Sequence, residues 1–232
     1  EALSKAIEAG HGILSLPCGF GKTTVSLAIA CKLGYRTMIV VHKEFLANQW
    51  KERIQQFCPG ASIGIVRQNK KEVNCDFVIA MLQSLSLKEY SFEDFDSIGT
   101  LIVDEAHQIR NTETLRHQAV KFLTDNADAA LFLTATPIQL GSDDLFVLLN
   151  TLRPDYVVDR NVFAQMSAPN AFINEAIEHV RNGKAHWIAG VVESLESARD
   201  TEWGKRVLLN DPGYENLMDE LTLLNESERQ NS

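Results

Sequence analysis

Short apolar runs alternate with amphipathic helical periods through the first 134 residues, and this alternation limits the possible folds more than any other feature. Six runs are apolar along most of their length and are predicted as strands: Gly12–Leu16, Thr37–Val41, Ile63–Arg67, Phe77–Met81, Thr100–Val103 and Ala129–Thr134. Three segments between them have helical spacing: Lys22–Leu33, Phe45–Phe57 and Thr112–Asn126. Strands without a polar face are buried on both sides, so we predict an α/β domain whose parallel sheet has helices on both faces.

The strand pattern ends near Pro154, and only helical periods follow. Their apolar stripes lie within Phe172–Val180, Trp187–Leu195 and Leu217–Leu224, with a turn predicted at Asp211–Gly213. We therefore expect two domains, an α/β domain over residues 1–155 and an acidic α-helical extension over residues 156–232.

Charge is distributed unevenly along the 232 residues, whose formal net charge is −9. Residues 1–110 carry 12 basic and 12 acidic side chains, whereas residues 111–232 carry 10 and 19. A uniformly acidic surface would repel the phosphates of nucleic acids. The neutral first part leaves nucleic-acid binding open, and the acids of the extension are expected to form a solvated face.

Cysteine spacing and hydropathy give expectations about location. The four cysteines, Cys18, Cys31, Cys58 and Cys75, contain no C-x-x-C pair, which argues against a zinc site or a disulfide framework. No apolar run approaches the roughly 18 residues of a membrane span, and the first ten residues do not resemble a signal peptide. We expect an intracellular protein, in the cytoplasm or in the nucleoid or nucleus, without a membrane partner.

A glycine-containing loop, Leu16-Pro-Cys-Gly-Phe-Gly-Lys-Thr23, joins the first predicted strand to the first predicted helix. In such a loop, backbone N–H groups and the helix N-terminus bind phosphate oxygens. Lys22 would reach the β- and γ-phosphates, and the Thr23 hydroxyl would bind Mg²⁺. The predicted nucleotide-binding residues are Pro17, Cys18, Gly19, Phe20, Gly21, Lys22, Thr23 and Thr24. The strict phosphate-loop pattern has glycine where this chain has Leu16, and a chance Gly-Lys-Thr is the alternative.

A second signal follows the strand at Thr100–Val103, which runs directly into Asp104-Glu105-Ala106-His107. Ligands of open α/β sheets bind at the carboxyl ends of the strands. Asp104 is a predicted Mg²⁺ ligand, and Glu105 is predicted to polarise the water that attacks the γ-phosphate. With Lys22, Glu105 completes the predicted catalytic pair. The alternative is a strand end with solvated acids.

Three segments in this order, Gly19–Thr23, Asp104–His107 and Thr134–Pro137, resemble motifs I, II and III of superfamily 2 helicases and translocases. The resemblance implies a RecA-like parallel sheet, ATP and Mg²⁺ as cofactors, and nucleic acid as partner, with DNA favoured over RNA. It also implies that His107, Thr134 and Thr136 couple the nucleotide state to the nucleic-acid site. That family does not require glycine at the position of Leu16.

Two further segments resemble parts of the same family. Residues 40–50 resemble motif Ia of XPB-like and viral helicases, and residues 78–85 resemble the segment that follows it. His42, Lys43 and Gln83 come after strand ends, where they could contact nucleic-acid phosphates. Within the same region, Phe45, Leu46 and Trp50 are predicted to be helix core.

The second half resembles a different branch, the Swi/Snf-type translocases, in which a helix follows motif III and ends at an Arg-Pro like Arg153-Pro154. The resemblance changes near Asp104–Arg110. Either the chain is a mosaic of two related lobes, natural or engineered, or it represents one divergent lineage.

Members of this family use two RecA-like lobes, and no second strand–helix alternation follows Pro154. We expect a first lobe that lacks its partner lobe, binds ATP–Mg²⁺ weakly and hydrolyses it poorly. The alternatives are a non-catalytic nucleotide-binding or interaction module and another phosphate-loop enzyme such as a small-molecule kinase. The kinase is disfavoured by the Thr134–Pro137 segment, which follows Asp104 by 30 residues and so matches a helix–strand unit in the motif order of the helicases that the chain resembles. His117, His179 and His186 lack ligand-like spacing and are expected at the surface.

Overall fold

The computed structural model describes residues 8–17, 19–87, 91–135, 142–183 and 187–230. The chain divides into two compact units, Glu1–Val158 and Asp159–Ser232. Among the helices of the described residues, none combines the length and the apolar character that crossing a membrane requires.

The first unit contains a seven-stranded sheet in the order β1-β7-β6-β2-β5-β3-β4. The strands are β1 His11–Ser15, β2 Thr37–Val41, β3 Ile63–Arg67, β4 Lys70–Lys71, β5 Phe77–Met81, β6 Thr100–Val103 and β7 Ala129–Thr134. Every neighbouring pair is parallel except β3 and β4, which are antiparallel. The predicted α/β fold with a parallel sheet is confirmed.

Five helices of the first unit lie among the described residues: α1 Lys22–Leu33, α2 Glu44–Phe57, α3 Leu82–Leu87, α4 Leu115–Asn126 and α5 Ser142–Leu152. Successive strand residues point to opposite sides of the sheet, so the apolar strands give it two apolar faces, and the helices cover both. Ile39, Ile79 and Ile102 pack with Leu27 of α1 and Trp50 of α2. On the other face, the neighbouring strand residues Val40, Ala80 and Val103 pack against three helices. The helix residues in that cluster include Leu85 of α3, Leu123 of α4 and Leu148 of α5.

The described residues of the second unit form helices joined by short turns and contain no strand. Its helices are α6 Arg160–Asn182, α7 Trp187–Asp200, α8 Gly204–Val207 and α9 Pro212–Gln230. The buried cluster is small and consists of Ala176, Ile188, Val191 and Leu221. Asp159 caps α6 by accepting hydrogen bonds from the N–H groups of Asn161 and Val162. The predicted α-helical extension is therefore confirmed as a fold.

Several local predictions were wrong. The turn at Asp211–Gly213 is instead the start of α9: Pro212 is its first residue, and Asp211 accepts the Tyr214 N–H at 2.8 Å. Proline suits this position because the first helical N–H has no partner within the helix. The helix predicted from Thr112 begins at Leu115, because the Thr114 hydroxyl caps it by accepting the His117 N–H.

The surface prediction for His117 was also wrong. His117 is buried, and its Nδ1 lies 2.8 Å from the Ile109 carbonyl oxygen. His179 is half-buried with its ring against Gly190, and His186 lies outside the described residues. Of the three residues predicted as helix core, Trp50 is buried and Leu46 half-buried, whereas Phe45 is 54 % exposed.

Candidate functional site

Four strands bring the motif residues to one edge of the sheet. Ser15 at the end of β1 lies opposite Thr134 at the end of β7. On the other side of β7, Val103 of β6 lies opposite Phe132, and Val40 of β2 lies opposite Val103. Because all four strands are parallel, the segments that follow them leave the sheet at the same edge, where open α/β sheets bind ligands.

The loop after β1 turns sharply at two glycines. Gly19 and Gly21 have φ of +84° and +80°, and no heavy atom lies within 4 Å of where a Cβ would stand at either residue. The Phe20 N–H donates to the Pro17 carbonyl at 3.3 Å, and the Phe20 side chain is 70 % exposed. Left-handed backbone strains other residues, so glycine is required here by conformation. Cys18, a predicted nucleotide contact, lies outside the described residues.

Helix α1 begins directly after this loop, with Gly21 as its N-cap. Glycine has no side chain to cap the first amides, and no acidic residue lies in the first turn of α1. The partial positive charge of this N-terminus is thus available to an anion. Lys22, Thr23 and Thr24 form the first turn, and the Lys22 ammonium reaches back to donate to the Leu16 carbonyl at 2.8 Å. These features fit a bound phosphate group.

Asp104, the first residue after β6, has both carboxylate oxygens engaged. Trp50 Nε1 donates to Oδ2 at 2.8 Å, and the Glu105 N–H donates to Oδ1 at 3.0 Å. Burial raises the pKa of Asp104 above its ordinary value, the Trp50 hydrogen bond opposes that rise, and the positive charge of Lys22 opposes it further. A buried carboxylate whose ionised form lacks solvation suits a place where a cation supplies the compensating charge.

Trp50 is a residue whose role the sequence reasoning missed. It was predicted as core, and its ring is indeed buried, but its indole N–H also fixes the Asp104 carboxylate. An indole N–H usually finds an acceptor when the ring is buried, so the available signal was a core tryptophan in a chain with acidic residues at a strand end.

Glu105 has a left-handed backbone, with φ of 54° and ψ of 51°. This conformation is uncommon for a residue with a side chain and frequently occurs at functional sites. His107 Nδ1 lies 3.3 Å from Glu105 Oε2, but without the alignment of a hydrogen bond. The Gln108 side-chain nitrogen lies 2.8 Å from His107 Nε2. Both Glu105 and His107 side chains are about one-third exposed, so a ligand can reach them.

The predicted nucleic-acid residues differ in their surroundings. Lys43 is exposed, and its ammonium lies 5.8 Å from the centre of the Phe45 ring. Gln83 instead donates its amide to the His42 carbonyl at 2.6 Å, which ties the end of β2 to α3. Burial, followed by the charge of Lys43, lowers the pKa of His42, whereas the charge of Glu105 opposes the decrease. Within the described residues, His42 Nδ1 and Gln83 Oε1 are buried without a hydrogen-bond partner.

Of the predicted coupling residues, His107 lies beside Glu105, and Thr134 is fully buried at the end of β7. Thr136 lies outside the described residues. The structure thus brings Lys22, Asp104, Glu105 and His107 to one edge of the sheet, whereas the coupling role itself remains a prediction.

The oxygen groups that the structure describes at this edge suit Mg²⁺ that is held jointly by the protein and a nucleotide, and they do not form a site in which the protein supplies all the metal ligands. Within the described part of the chain, no three His, Cys, Asp or Glu side chains converge into a metal site. Magnesium is commonly held by one or two protein oxygens together with the phosphates of a nucleotide. The Asp104 carboxylate and the Thr23 hydroxyl supply oxygens of that kind.

Comparisons with known proteins agree with this geometry. Residues 1–139 match the family described as type III restriction enzyme, res subunit. The chain is 40 % identical over 110 residues to the "Putative ATP-dependent RNA helicase" of Acanthamoeba polyphaga mimivirus, covering 47 % of this chain and 21 % of that protein. It is 29 % identical over 226 residues to the "Putative helicase" of Invertebrate iridescent virus 6, covering 89 % and 47 %.

Among solved structures, the chain resembles the SWI2/SNF2 ATPase core of Sulfolobus solfataricus in complex with dsDNA. The TM-score is 0.60 at 15 % sequence identity, over 96 % of this chain and 63 % of that one. The chain spans less than half the length of each of the two viral relatives. Because one viral relative aligns across both halves, the change of resemblance near Asp104–Arg110 does not require a mosaic.

Proposed function

We propose that the chain, which belongs to the family described as type III restriction enzyme, res subunit, forms the first RecA-like, ATP-binding lobe of a superfamily 2 helicase or translocase and works in nucleic-acid-dependent ATP hydrolysis. The observation that carries the proposal is the meeting of the β1 phosphate loop with the Asp104–Glu105 pair at one sheet edge. The positive charge of Lys22 lowers the pKa of Asp104 there, although Lys22 lies 82 positions earlier in the sequence.

ATP binding rests on the loop and on the first turn of α1. We propose that backbone N–H groups of residues 19–24 surround the phosphates, as the open left-handed turns at Gly19 and Gly21 permit. Lys22 then exchanges the Leu16 carbonyl for phosphate oxygens, which is favourable because a charged acceptor binds an ammonium more strongly than a neutral one. Thr23 and Asp104 are the proposed Mg²⁺ ligands.

Hydrolysis requires a group that orients or deprotonates water. Glu105 is the proposed base, because its side chain is accessible and follows the buried Asp104 directly. Bound Mg²⁺ would supply positive charge that offsets the charge developing on the phosphates. Trp50 acts as a positioning residue, since its hydrogen bond keeps the Asp104 carboxylate in one orientation.

The nucleic-acid partner is proposed on coarser grounds. The relatives are helicases, and one structural neighbour is a complex with dsDNA. Exposed Lys43 is the proposed phosphate contact, with His42 and Gln83 shaping the segment beside it. We favour DNA over RNA as the nucleic acid. His107, Thr134 and Thr136 would transmit the nucleotide state to the nucleic-acid site. An intracellular location follows from a nucleic-acid substrate.

We further propose that a second RecA-like lobe completes the site. Arginine fingers in related phosphoryl-transfer systems raise the rate about 10³–10⁵-fold. Without such a group, residues 1–155 would bind ATP–Mg²⁺ weakly and turn it over slowly, while the acidic extension over residues 156–232 serves as an accessory helical unit. No observation favours the non-catalytic module or the small-molecule kinase.

Nucleotide binding by the chain tests the proposal. Titration with a fluorescent ATP analogue should show Mg²⁺-dependent binding that Lys22→Ala weakens at least about tenfold, because a charged hydrogen bond to phosphate is lost. Lys32→Ala is the matched control, since Lys32 is exposed in the last turn of the same helix. Equal binding by the two variants would contradict the assigned site.

A further inference from the structure

Two cysteines that are distant in the sequence meet at the far ends of α1 and α2. Cys31 is exposed near the end of α1, and Cys58 is the C-cap of α2, where its N–H donates to the Ile54 carbonyl at 2.8 Å. Their sulfur atoms lie 3.3 Å apart. The sequence argued against a disulfide framework because the cysteine spacing shows no pairing, whereas the packing of the two helices creates a pair.

We propose that Cys31 and Cys58 form a reversible disulfide with each other when the chain meets a low-molecular-weight disulfide. The sulfurs are already in contact at 3.3 Å, and a bond of about 2.05 Å requires them to approach by little more than about 1 Å. The two helices that carry the cysteines pack together, because Leu27 of α1 and Ile54 of α2 belong to one buried cluster. This proposal does not depend on the nucleotide site.

The exchange needs two steps and no other oxidant. The exposed Cys31 thiolate attacks the small disulfide and expels one small thiolate. Cys58, once deprotonated, attacks the Cys31 sulfur of the mixed disulfide and expels the second small thiolate. The two protein thiols lose two electrons and two protons, and the small disulfide becomes two thiols. Cys31 makes the first attack because it is exposed, whereas Cys58 is half-buried. Burial, followed by the neighbouring Cys31 sulfur, also raises the pKa of the Cys58 thiol.

The third described cysteine does not compete for this pairing. Cys75 packs against the buried cluster on the other face of the sheet, whereas Cys58 packs with Leu27 and Ile54. The new bond would join α1, which begins with Lys22, to α2, which carries Trp50. Cys31 lies nine positions after Lys22, about 13 Å along the helix axis, so the bond forms away from the phosphate loop.

Peptide mapping after oxidation tests the proposal. The chain is incubated with oxidised glutathione at neutral pH and digested with trypsin under non-reducing conditions. The expected product is peptide 23–32 linked to peptide 54–67, with the loss of two free thiols and full reversal by dithiothreitol. Because each of the four cysteines falls in a different tryptic peptide, the map identifies the partners without any variant.

Stability and single variants give independent readouts. Oxidation should raise the melting temperature by about 5–10 °C, since the bond closes a loop of roughly 28 residues. Cys31→Ser and Cys58→Ser should each abolish both the linked peptide and the shift, whereas Cys75→Ser should keep them. Linked peptides that contain Cys18 or Cys75, or glutathione adducts without any 31–58 link, would overturn the proposal.

Discussion

The two units of the chain differ in how their polar groups are arranged. In the first, buried strands deliver Lys22, Asp104 and Glu105 to one edge, and a buried tryptophan holds one of these carboxylates. The second unit carries 13 acidic and 7 basic residues on helices around a cluster of four buried side chains. Within its described residues, Arg199 contacts Asp200 and Lys205 contacts Glu202, and both pairs are close in the sequence. Convergence of groups distant in sequence, more than charge itself, distinguishes a site from a charged surface.

Substituting a glutamate in each unit should give the largest contrast. With a second lobe and nucleic acid present, we expect Glu105→Gln to lower ATP turnover about a hundredfold or more while ATP binding persists, because general-base catalysis contributes about 10²–10⁴. Glu193→Gln, at an exposed position of α7, should leave turnover unchanged. Phosphate release measured alongside nucleotide binding separates the two effects. Unchanged turnover in Glu105→Gln would refute the role of this carboxylate.

A smaller contrast is expected between tryptophans. Trp50→Phe keeps an aromatic ring in the core but removes the hydrogen bond to Asp104, so Mg²⁺–ATP affinity should fall about fivefold to tenfold. Trp187→Phe, on the edge of the helical cluster, should not change it. Nucleotide titrations of both variants make the comparison. If Trp50→Phe binds like the unaltered chain, the indole does not position Asp104.

The same pair of variants has a pH signature. Burial raises the pKa of Asp104, and the Trp50 hydrogen bond lowers it, so loss of this bond raises the pKa further. Mg²⁺ binding needs the ionised carboxylate, and affinity should therefore fall as pH decreases through the Asp104 pKa. Titrations at a series of acidic pH values should place this decrease at higher pH in Trp50→Phe than in Trp187→Phe. Identical profiles would show that ionisation of Asp104 does not cause the pH dependence of Mg²⁺–ATP affinity.

Two glycines give the smallest and most closely matched contrast. Gly21 and Gly183 both cap helices with positive φ, and both have open space where a Cβ would stand. Alanine at either position should reduce the free energy of unfolding by about 1 kcal/mol, because left-handed backbone is strained for alanine. Only Gly21→Ala should also weaken ATP binding. Chemical denaturation and nucleotide titration would show this, and an equal loss of affinity in both variants would indicate a general effect.

The fully apolar strands were predictable from the sequence, and five of the six have the predicted bounds. Two short elements were missed for physical reasons: β4 consists of two exposed lysines, and α3 has six residues, too few to establish a helical period. His117 was misplaced because histidine is usually a polar surface residue, although its spacing puts it on the buried stripe of α4 with Val120 and Leu123. The Ile109 carbonyl, which pairs with the ring, could not be predicted from the sequence.

The site followed the same division. Asp104 was predictable because it lies directly after β6, and Lys22 because it begins the helix that follows the loop after β1. Parallel strands bring the segments that follow them to one edge. Contacts between side chains and distant segments were not predictable, since they depend on helix packing. Trp50 reaches Asp104 across 54 residues, and Gln83 reaches the His42 carbonyl across 41. The Cys31–Cys58 contact belongs to this second class.

If the β1 loop and the β6 carboxylate form one ATP–Mg²⁺ site, the Mg²⁺ dependence of ATP affinity should change in Asp104→Asn. We expect Mg²⁺ to strengthen ATP binding by the unaltered chain, whereas Asp104→Asn should bind ATP with nearly the same affinity with and without Mg²⁺. Full Mg²⁺ enhancement in Asp104→Asn would show that the carboxylate and the loop do not share one site.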